Sequence, residues 1–303
     1  MQFPHPHRKA ALPFLLLCFV CLHLFVNPLK AQRLKGDTHI TDEQLTRLQS
    51  KTVLVVLPSS QYNLIDDYKQ LVSKAWTLTP VEVIKYSDLS NYSDGDKYAY
   101  LAISGTTYSG SYTSTHYYLT LSNPYQKQSK RKAAEETDEL CWMQLYPDTK
   151  TQDVGAYKNR YDQLYEGSLI RNFTPPYIYT YLKYIQTIIK NGTIPALYSE
   201  DKDGAMIAKL SRDTLYVPDS LVHHRSGFSS KEELNEKELF ASYQGKYKIV
   251  STQELTEMIK NKVDKKPLFL FEYVLSSTDK FVSVYNVTTG ERFTATTPAF
   301  RTT

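Results

Sequence analysis

The apolar residues of this chain follow two periods, and these periods occur in the same order twice. Residues 45–56, LTRLQSKTVLVV, and residues 206–217, MIAKLSRDTLYV, each place a short amphipathic segment before a run of strand-forming residues. Residues 61–76 and 230–243 follow, with apolar residues three and four positions apart, which is the spacing of a helix with one buried face. Both halves therefore begin with the predicted order helix, strand, helix.

The elements that come after this opening also match. Residues 80–89 and 246–255 predict a strand that runs into a capped helix start, and Ser251 with Glu254 has the spacing of a capping box. Paired strands are predicted next, at 97–103 and 116–121 in the first half and at 267–274 and 280–287 in the second. We therefore predict an α/β fold with some α+β character, made of two tandem αβαβ(α)ββ repeats with mixed sheets. A right-handed helical crossover makes the first two strands of each repeat parallel.

The connections differ between the halves. Gly290 predicts a tight turn between strands 280–287 and 292–296, because glycine accepts left-handed backbone angles. The matching turn of the first half is expanded to residues 123–140, which we predict to be a solvated, self-neutralising loop. Between the halves, one helix is predicted from Pro175 and Pro176 up to Gly192, with a wide apolar stripe that favours burial between both halves. The predicted divisions are a leader at 1–31, a first repeat at 32–150, a helical connector at 151–195 and a second repeat at 196–303.

The leader predicts export to the periplasm or the cell surface. Arg8 and Lys9 precede an apolar run of 17 residues, 10–26, and Ala31 offers a small residue for cleavage. A helix that spans a membrane needs about 20 apolar residues, so no integral span is predicted once the leader is removed. Without the leader, 33 basic residues face 32 acidic ones. Nucleic acid is therefore not a predicted partner, because phosphate backbones require clustered positive charge.

Candidate chemical sites are few, and no cofactor or metal is predicted. The chain has no nucleophile elbow, phosphate-binding lysine loop, dinucleotide glycines or zinc-protease motif. Cys141 has apolar neighbours and is predicted to be a core residue. The adjacent His223 and His224 are predicted to lie in an exposed loop, and Asp201 and Asp203 in a plain turn, because the glutamate of a calcium loop is missing. Four glycan-acceptor triplets begin at Asn91, Asn172, Asn191 and Asn286.

Tyrosine is the unusual component, with 25 residues among 303. The stretch GTTYSGSYTSTHYY mixes tyrosine with Ser, Thr and Gly, as antibody combining loops do. It therefore predicts a binding surface formed by Tyr108, Tyr112, Tyr117 and Tyr118. An ordinary half-solvated hairpin would have the same composition, since Tyr and Thr favour strands.

Several segments carry a family resemblance. KTVLVVLP, AWTLTPVEVIKYSDL, DTLYVP and SVYNVTTGE resemble segments of uncharacterised exported proteins from Gram-negative cell envelopes. This resemblance implies no activity, and no functional residues can be transferred from it.

Three functions follow as predictions, and enzymatic activity is not favoured. The leading one is a non-catalytic envelope protein that binds another protein or a surface polymer. The second is a glycan or small-ligand module in the groove between the repeats. The third is a hydrolase with two carboxylates in a cleft, which would leave no local sequence motif.

Overall fold

Two five-stranded sheets and a buried helix between them form the framework of the protein. The computed structural model describes residues 37–109, 113–127, 134–148, 161–167, 169–196, 209–210, 212–222, 240, 243–263, 266–275 and 279–298. The strands are β1 (Thr38–His39), β2 (Thr52–Leu57), β3 (Val81–Lys85), β4 (Tyr98–Ser109), β5 (Thr113–Lys127), β6 (Ala134–Gln144), β7 (Thr193–Ile194), β8 (Thr214–Pro218), β9 (Lys246–Val250), β10 (Phe269–Leu275), β11 (Asp279–Asn286) and β12 (Glu291–Pro298). The helices are α1 (Asp42–Gln49), α2 (Ile65–Ala75), α3 (Tyr161–Gly167), α4 (Pro175–Asn191), α5 (Asp219–Val222) and α6 (Thr252–Lys262).

Both large sheets have the same strand order and the same strand directions. The first sheet has the order β3-β2-β4-β5-β6, in which β2 is parallel to β3 and β4, and the remaining pairs are antiparallel. The second sheet has the order β9-β8-β10-β11-β12, and β8 is parallel to β9 and β10. The opening strands β2 and β8 thus hold the same position in their sheets. The predicted α/β class with two tandem units and mixed sheets is confirmed.

Each large sheet has five strands, whereas the pattern αβαβ(α)ββ counts four. In the second half the fifth strand is β12, which includes the strand predicted at 292–296. In the first half the reason lies in residues 123–140, which were predicted to be a loop. Most of this segment is paired strand, because β5 continues to Lys127 and β6 starts at Ala134. A bulge between Leu121 and Ser122 shifts the register within this pair. Tyr125 and Glu136 are direct partners on the two strands, and the Tyr125 hydroxyl donates to the Glu136 carboxylate at 2.8 Å. The charged composition of this segment therefore belongs to a pair of strands and not to a loop.

The helix α4 contacts both halves, as its apolar stripe predicts. It begins after Thr174 with two prolines and ends at Gly192, whose φ of 66° is left-handed. Gln186 bonds to α2, where its Nε2 donates to the Ala75 carbonyl and its Oε1 accepts from the Thr77 amide at 2.9 Å. On the other side, the Tyr177 hydroxyl donates to the Phe271 carbonyl of β10 at 2.8 Å. The helix is therefore part of both cores.

Two further contacts fix the surroundings of α4. The short strand β1 pairs with β7 directly after the helix, which the sequence did not predict. At the predicted turn between β11 and β12, Gly290 has a φ of 80° and packs so closely that a Cβ atom there would lie 2.5 Å from the Lys183 carbonyl oxygen. Within the described residues, no helix is both long and apolar enough to cross a membrane. The predicted leader, residues 1–31, lies outside the described residues.

Candidate functional site

A two-stranded arm extends from the first sheet beyond the end of β2. The pairing of β2 with β4 stops at Leu101, whereas β4 and β5 stay paired up to Ser109 opposite Thr113. The pairing of β6 with β5 begins only at Tyr118. Residues 105–109 and 113–117, here called the arm, are therefore paired as strands with each other in the described structure, and the Leu145 amide donates to the Tyr117 carbonyl at 2.8 Å beside the first of these pairs. Five residue pairs at about 3.4 Å per residue make the arm about 17 Å long.

The four tyrosines of the predicted binding surface are distributed over this arm and its base. Tyr117 and Tyr118 lie at the base and are only 2% and 4% exposed, so they pack in the interior. The Tyr118 ring lies 5.9 Å from that of Trp142. Tyr108 lies on the β4 strand of the arm, but its side chain is outside the described part, as is the whole of Tyr112. The binding surface stays a prediction, and the burial of the two base residues leaves it to Tyr108 and Tyr112.

More tyrosine rings cover the carboxyl ends of β2 and β3, next to the base of the arm. The Tyr165 hydroxyl accepts from the Ile103 amide of β4 at 2.6 Å. Ile103 lies two residues after Leu101, the last residue of β4 that pairs with β2. Its ring stacks on Tyr86 with centroids 4.1 Å apart. Lys85 Nζ lies 5.3 Å from the Tyr62 ring centroid, and both Tyr62 and Tyr86 are partly exposed. In open α/β sheets, ligands bind at such carboxyl ends, where neighbouring strands diverge.

A separate polar cluster is enclosed between α4 and the second sheet. Glu272 on β10 is 5% exposed and accepts hydrogen bonds from three side chains. The Tyr181 hydroxyl and Asn172 Nδ2, the latter at 3.0 Å, donate to its Oε1, and the Tyr285 hydroxyl donates to its Oε2 at 3.0 Å. Asn172 Oδ1 also accepts from the Tyr146 amide at 2.7 Å. The carboxylate thus joins the second sheet, α4 and the chain after β6.

The protonation states follow from this enclosure. Burial raises the pKa of Glu272 above its ordinary value, and its three donors only partly offset that effect. Burial also raises the pKa of Tyr181 and of Tyr285 well above the ordinary value, so both hydroxyls stay protonated and donate. Burial opposes the charge on Arg292, but Tyr184, Tyr285 and Glu272 outweigh it and raise its pKa. Perturbed groups often indicate function, yet Glu272 is fully occupied by bonds that hold the fold together.

The space between the two halves is narrow. A cleft beside Arg292 and α4 has a volume of about 20 Å³, which is room for about one water molecule. Ligand pockets in proteins have about 300–1,000 Å³, which is larger than this cleft, and the predicted ligand groove between the repeats stays a prediction. Glu139 is the one carboxylate residue among the described walls of this cleft. A hydrolase of the predicted kind uses two carboxylates in a cleft, and that alternative stays a prediction.

Comparisons of the chain with family models, with curated proteins and with solved structures give no match. The resemblance to exported envelope proteins stays a prediction.

The other candidate residues are placed as follows. Cys141 is buried, and burial raises the pKa of its thiol to about 12, so it is the core residue that its neighbours predicted. No group of three or more His, Cys, Asp or Glu residues in the described segments could hold a metal ion. His223, His224, Asp201 and Asp203 lie outside these segments.

The asparagine side chains of two predicted glycan-acceptor triplets are buried. Asn172 is 0% exposed and Asn286 is 4% exposed, and Asn286 Oδ1 accepts from the Thr288 amide at 3.1 Å. Both asparagines therefore serve the fold, and a glycan could not be attached to either without unfolding. Glu272 was not predicted as a candidate residue, although a single acid inside the apolar run PLFLFEYV is a signal of a buried and bonded carboxylate.

Proposed function

We propose that this protein is a non-catalytic, exported binding protein, and that its arm is the contact surface for a partner protein of the cell envelope. One observation supports this proposal most directly: the arm continues about 17 Å past the strands that flank its base. An isolated two-stranded ribbon is marginally stable in water, so an arm of this kind gains stability when a partner covers it.

The composition of the arm suits such a contact. Its sequence contains Tyr, Ser, Thr and Gly, where rigid aromatic rings supply contact area at low entropic cost and small residues adapt to the partner. The partly exposed rings of Tyr62 and Tyr86 lie near the base and extend the aromatic surface. Glu272, a buried carboxylate whose pKa is raised, is occupied by structural hydrogen bonds. A binding role therefore explains more of the described features than catalysis does.

The arm is tested by replacing Tyr108, on its β4 strand, and Tyr112, which lies between its two strands in the sequence. We expect the double variant Tyr108→Ser, Tyr112→Ser to lose the partner that the unmodified chain retains from envelope extracts, while its melting temperature changes little. Tyr117 and Tyr118 must stay unchanged, because they are buried and their loss would unfold the base. A matched control replaces Tyr247, a partly exposed tyrosine of the second half. If both variants retain the same proteins as the unmodified chain, the arm is not the contact surface.

Export is tested separately. We expect the protein recovered from the envelope fraction to begin at Gln32, one residue after the predicted cleavage position. Sequencing of its first residues by mass spectrometry measures this directly. A chain that keeps residues 1–31 in the cytoplasmic fraction would contradict the exported location.

A further inference from the structure

A second, larger groove lies on the second sheet, far along the chain from the arm. Its volume is about 320 Å³, within the size range of protein ligand sites. One side is α6 and the other is formed by β8 and β9. The lining side chains are Tyr216, Lys248, Glu254, Glu257, Met258 and Asn261.

The local sequence explains why these side chains converge. Tyr216 and Lys248 are direct partners in the parallel β8–β9 pair, so both project from the same face of the sheet. The helix begins immediately after β9, where Ser251 accepts from the Glu254 amide at 3.1 Å. Residues 254, 257, 258 and 261 have the spacing of one helix face. The opposite face of α6 carries Leu255 and Ile259, which are buried in the core.

The charges of the groove are partly compensated by its own neighbours. Lys248 pairs with Glu254 at 2.5 Å, and Lys260 pairs with Glu257 at 2.9 Å. Asn261 Nδ2 also donates to the Glu257 carbonyl at 2.9 Å. Lys260 also pairs with Asp67 at 2.7 Å, so the lining side chains Lys248, Glu254 and Glu257 together carry one negative charge. An anionic ligand is therefore disfavoured, and a cationic ligand is the alternative to a neutral one. The side chains of Lys248, Glu254 and Glu257 are 55%, 45% and 54% exposed, so they can still bond to a ligand.

The combination of groups indicates the class of ligand. Tyr216 offers an aromatic face and Met258 a polarisable thioether, which together form an apolar floor. Glu254 and Glu257 accept hydrogen bonds, Lys248 donates them, and the amide of Asn261 does both. A sugar has the complementary structure, because its hydroxyls donate and accept while its C–H face is apolar. We propose that this groove binds a saccharide unit of a neutral glycan.

The proposal concerns a different surface from the arm, and it is tested with the full chain and a panel of neutral trisaccharides of glucose, N-acetylglucosamine, mannose and galactose. We expect isothermal titration to detect at least one of them. We expect Tyr216→Ala to weaken that binding at least about tenfold, whereas Tyr216→Phe keeps the ring and changes it less than about threefold. Asn261→Ala, at an exposed position, should also weaken binding and is the second variant if Tyr216→Ala lowers the melting temperature.

Two controls separate the alternatives. Glu257→Gln keeps an acceptor and removes a charge, so binding of a neutral sugar should change less than about threefold. The arm variant Tyr108→Ser, Tyr112→Ser should bind the sugar normally, so that the arm and the groove can fail independently. The proposal is overturned if no trisaccharide binds, if binding is indifferent to both Tyr216→Ala and Asn261→Ala, or if Glu257→Gln abolishes it as for a cationic ligand.

Discussion

The clearest quantitative test concerns the hydroxyl of Tyr181. This residue is 0% exposed and its hydroxyl donates to the Glu272 carboxylate. A hydrogen bond to a charged group contributes about 1.5–3 kcal/mol, against about 0.5–1.5 kcal/mol for a neutral pair. We therefore expect Tyr181→Phe to lower the free energy of unfolding by about 2–3 kcal/mol above the folded pKa of Glu272, where the carboxylate is charged. Asn172 Nδ2 would remain satisfied, since it also donates to the Gln144 carbonyl at 3.0 Å.

A matched control is available one helical turn earlier. Tyr177 is 1% exposed and donates to a neutral acceptor, the Phe271 carbonyl, at 2.8 Å. We expect Tyr177→Phe to cost about 1 kcal/mol, because its acceptor carries no formal charge. Urea unfolding monitored by circular dichroism measures both variants under the same conditions.

The reasoning also predicts the direction in which the cost of Tyr181→Phe changes with pH. The pKa of Glu272 is raised in the folded protein, so its contribution to stability is complete below the unfolded pKa and is lost as pH rises through the folded pKa. Tyr181→Phe removes a donor that lowers this pKa and should raise it further. The cost of Tyr181→Phe should therefore grow as pH rises through the folded pKa of Glu272, while that of Tyr177→Phe stays constant. Equal costs for the two variants, or no growth with pH, would refute the reasoning.

Three other predictions concern stability and reactivity. Gly290→Ala should lower the free energy of unfolding by more than about 2 kcal/mol because a Cβ atom meets α4, whereas Gly192→Ala, with open space around it, should cost about 1 kcal/mol in urea unfolding. Ile185→Asp should abolish the folding of both halves together, and two separate calorimetric transitions would contradict this. Cys141 should resist iodoacetamide until urea unfolds the chain, in a variant without the leader cysteines, and labelling of the folded protein would disprove its enclosure.

The sequence predicted those elements whose signals are local. The helix α4 could be recognised because two prolines start it, Gly192 ends it, and apolar residues follow each other at helical spacing. The tight turn at Gly290 was equally local. The ladder within residues 123–140 was missed because its charged residues resemble a solvated loop, although strand pairing depends on the partner strand as much as on composition.

The sites were harder to predict because their residues are distant in sequence. Glu272 receives its bonds from residues 91 and 100 positions earlier in the chain. The same distance explains why β1 was not predicted, since His39 pairs with Thr193 across 154 residues. The burial of Tyr117 and Tyr118 could not be predicted for another reason. Composition indicates a strand rich in tyrosine, but it does not indicate which face of that strand packs against the core.

The donors around Glu272 also set an order of assembly. A chain that emerges from its N-terminus releases Asn172 and Tyr181 well before Glu272, by about 5–20 seconds at synthesis rates of roughly 5–20 residues per second. The acidic side chain of β10 thus emerges after two of its donors and before the third, Tyr285. A circularly permuted chain that begins with the second sheet would reverse this order of synthesis. Glu272 would then stay exposed to solvent until α4 had been synthesised.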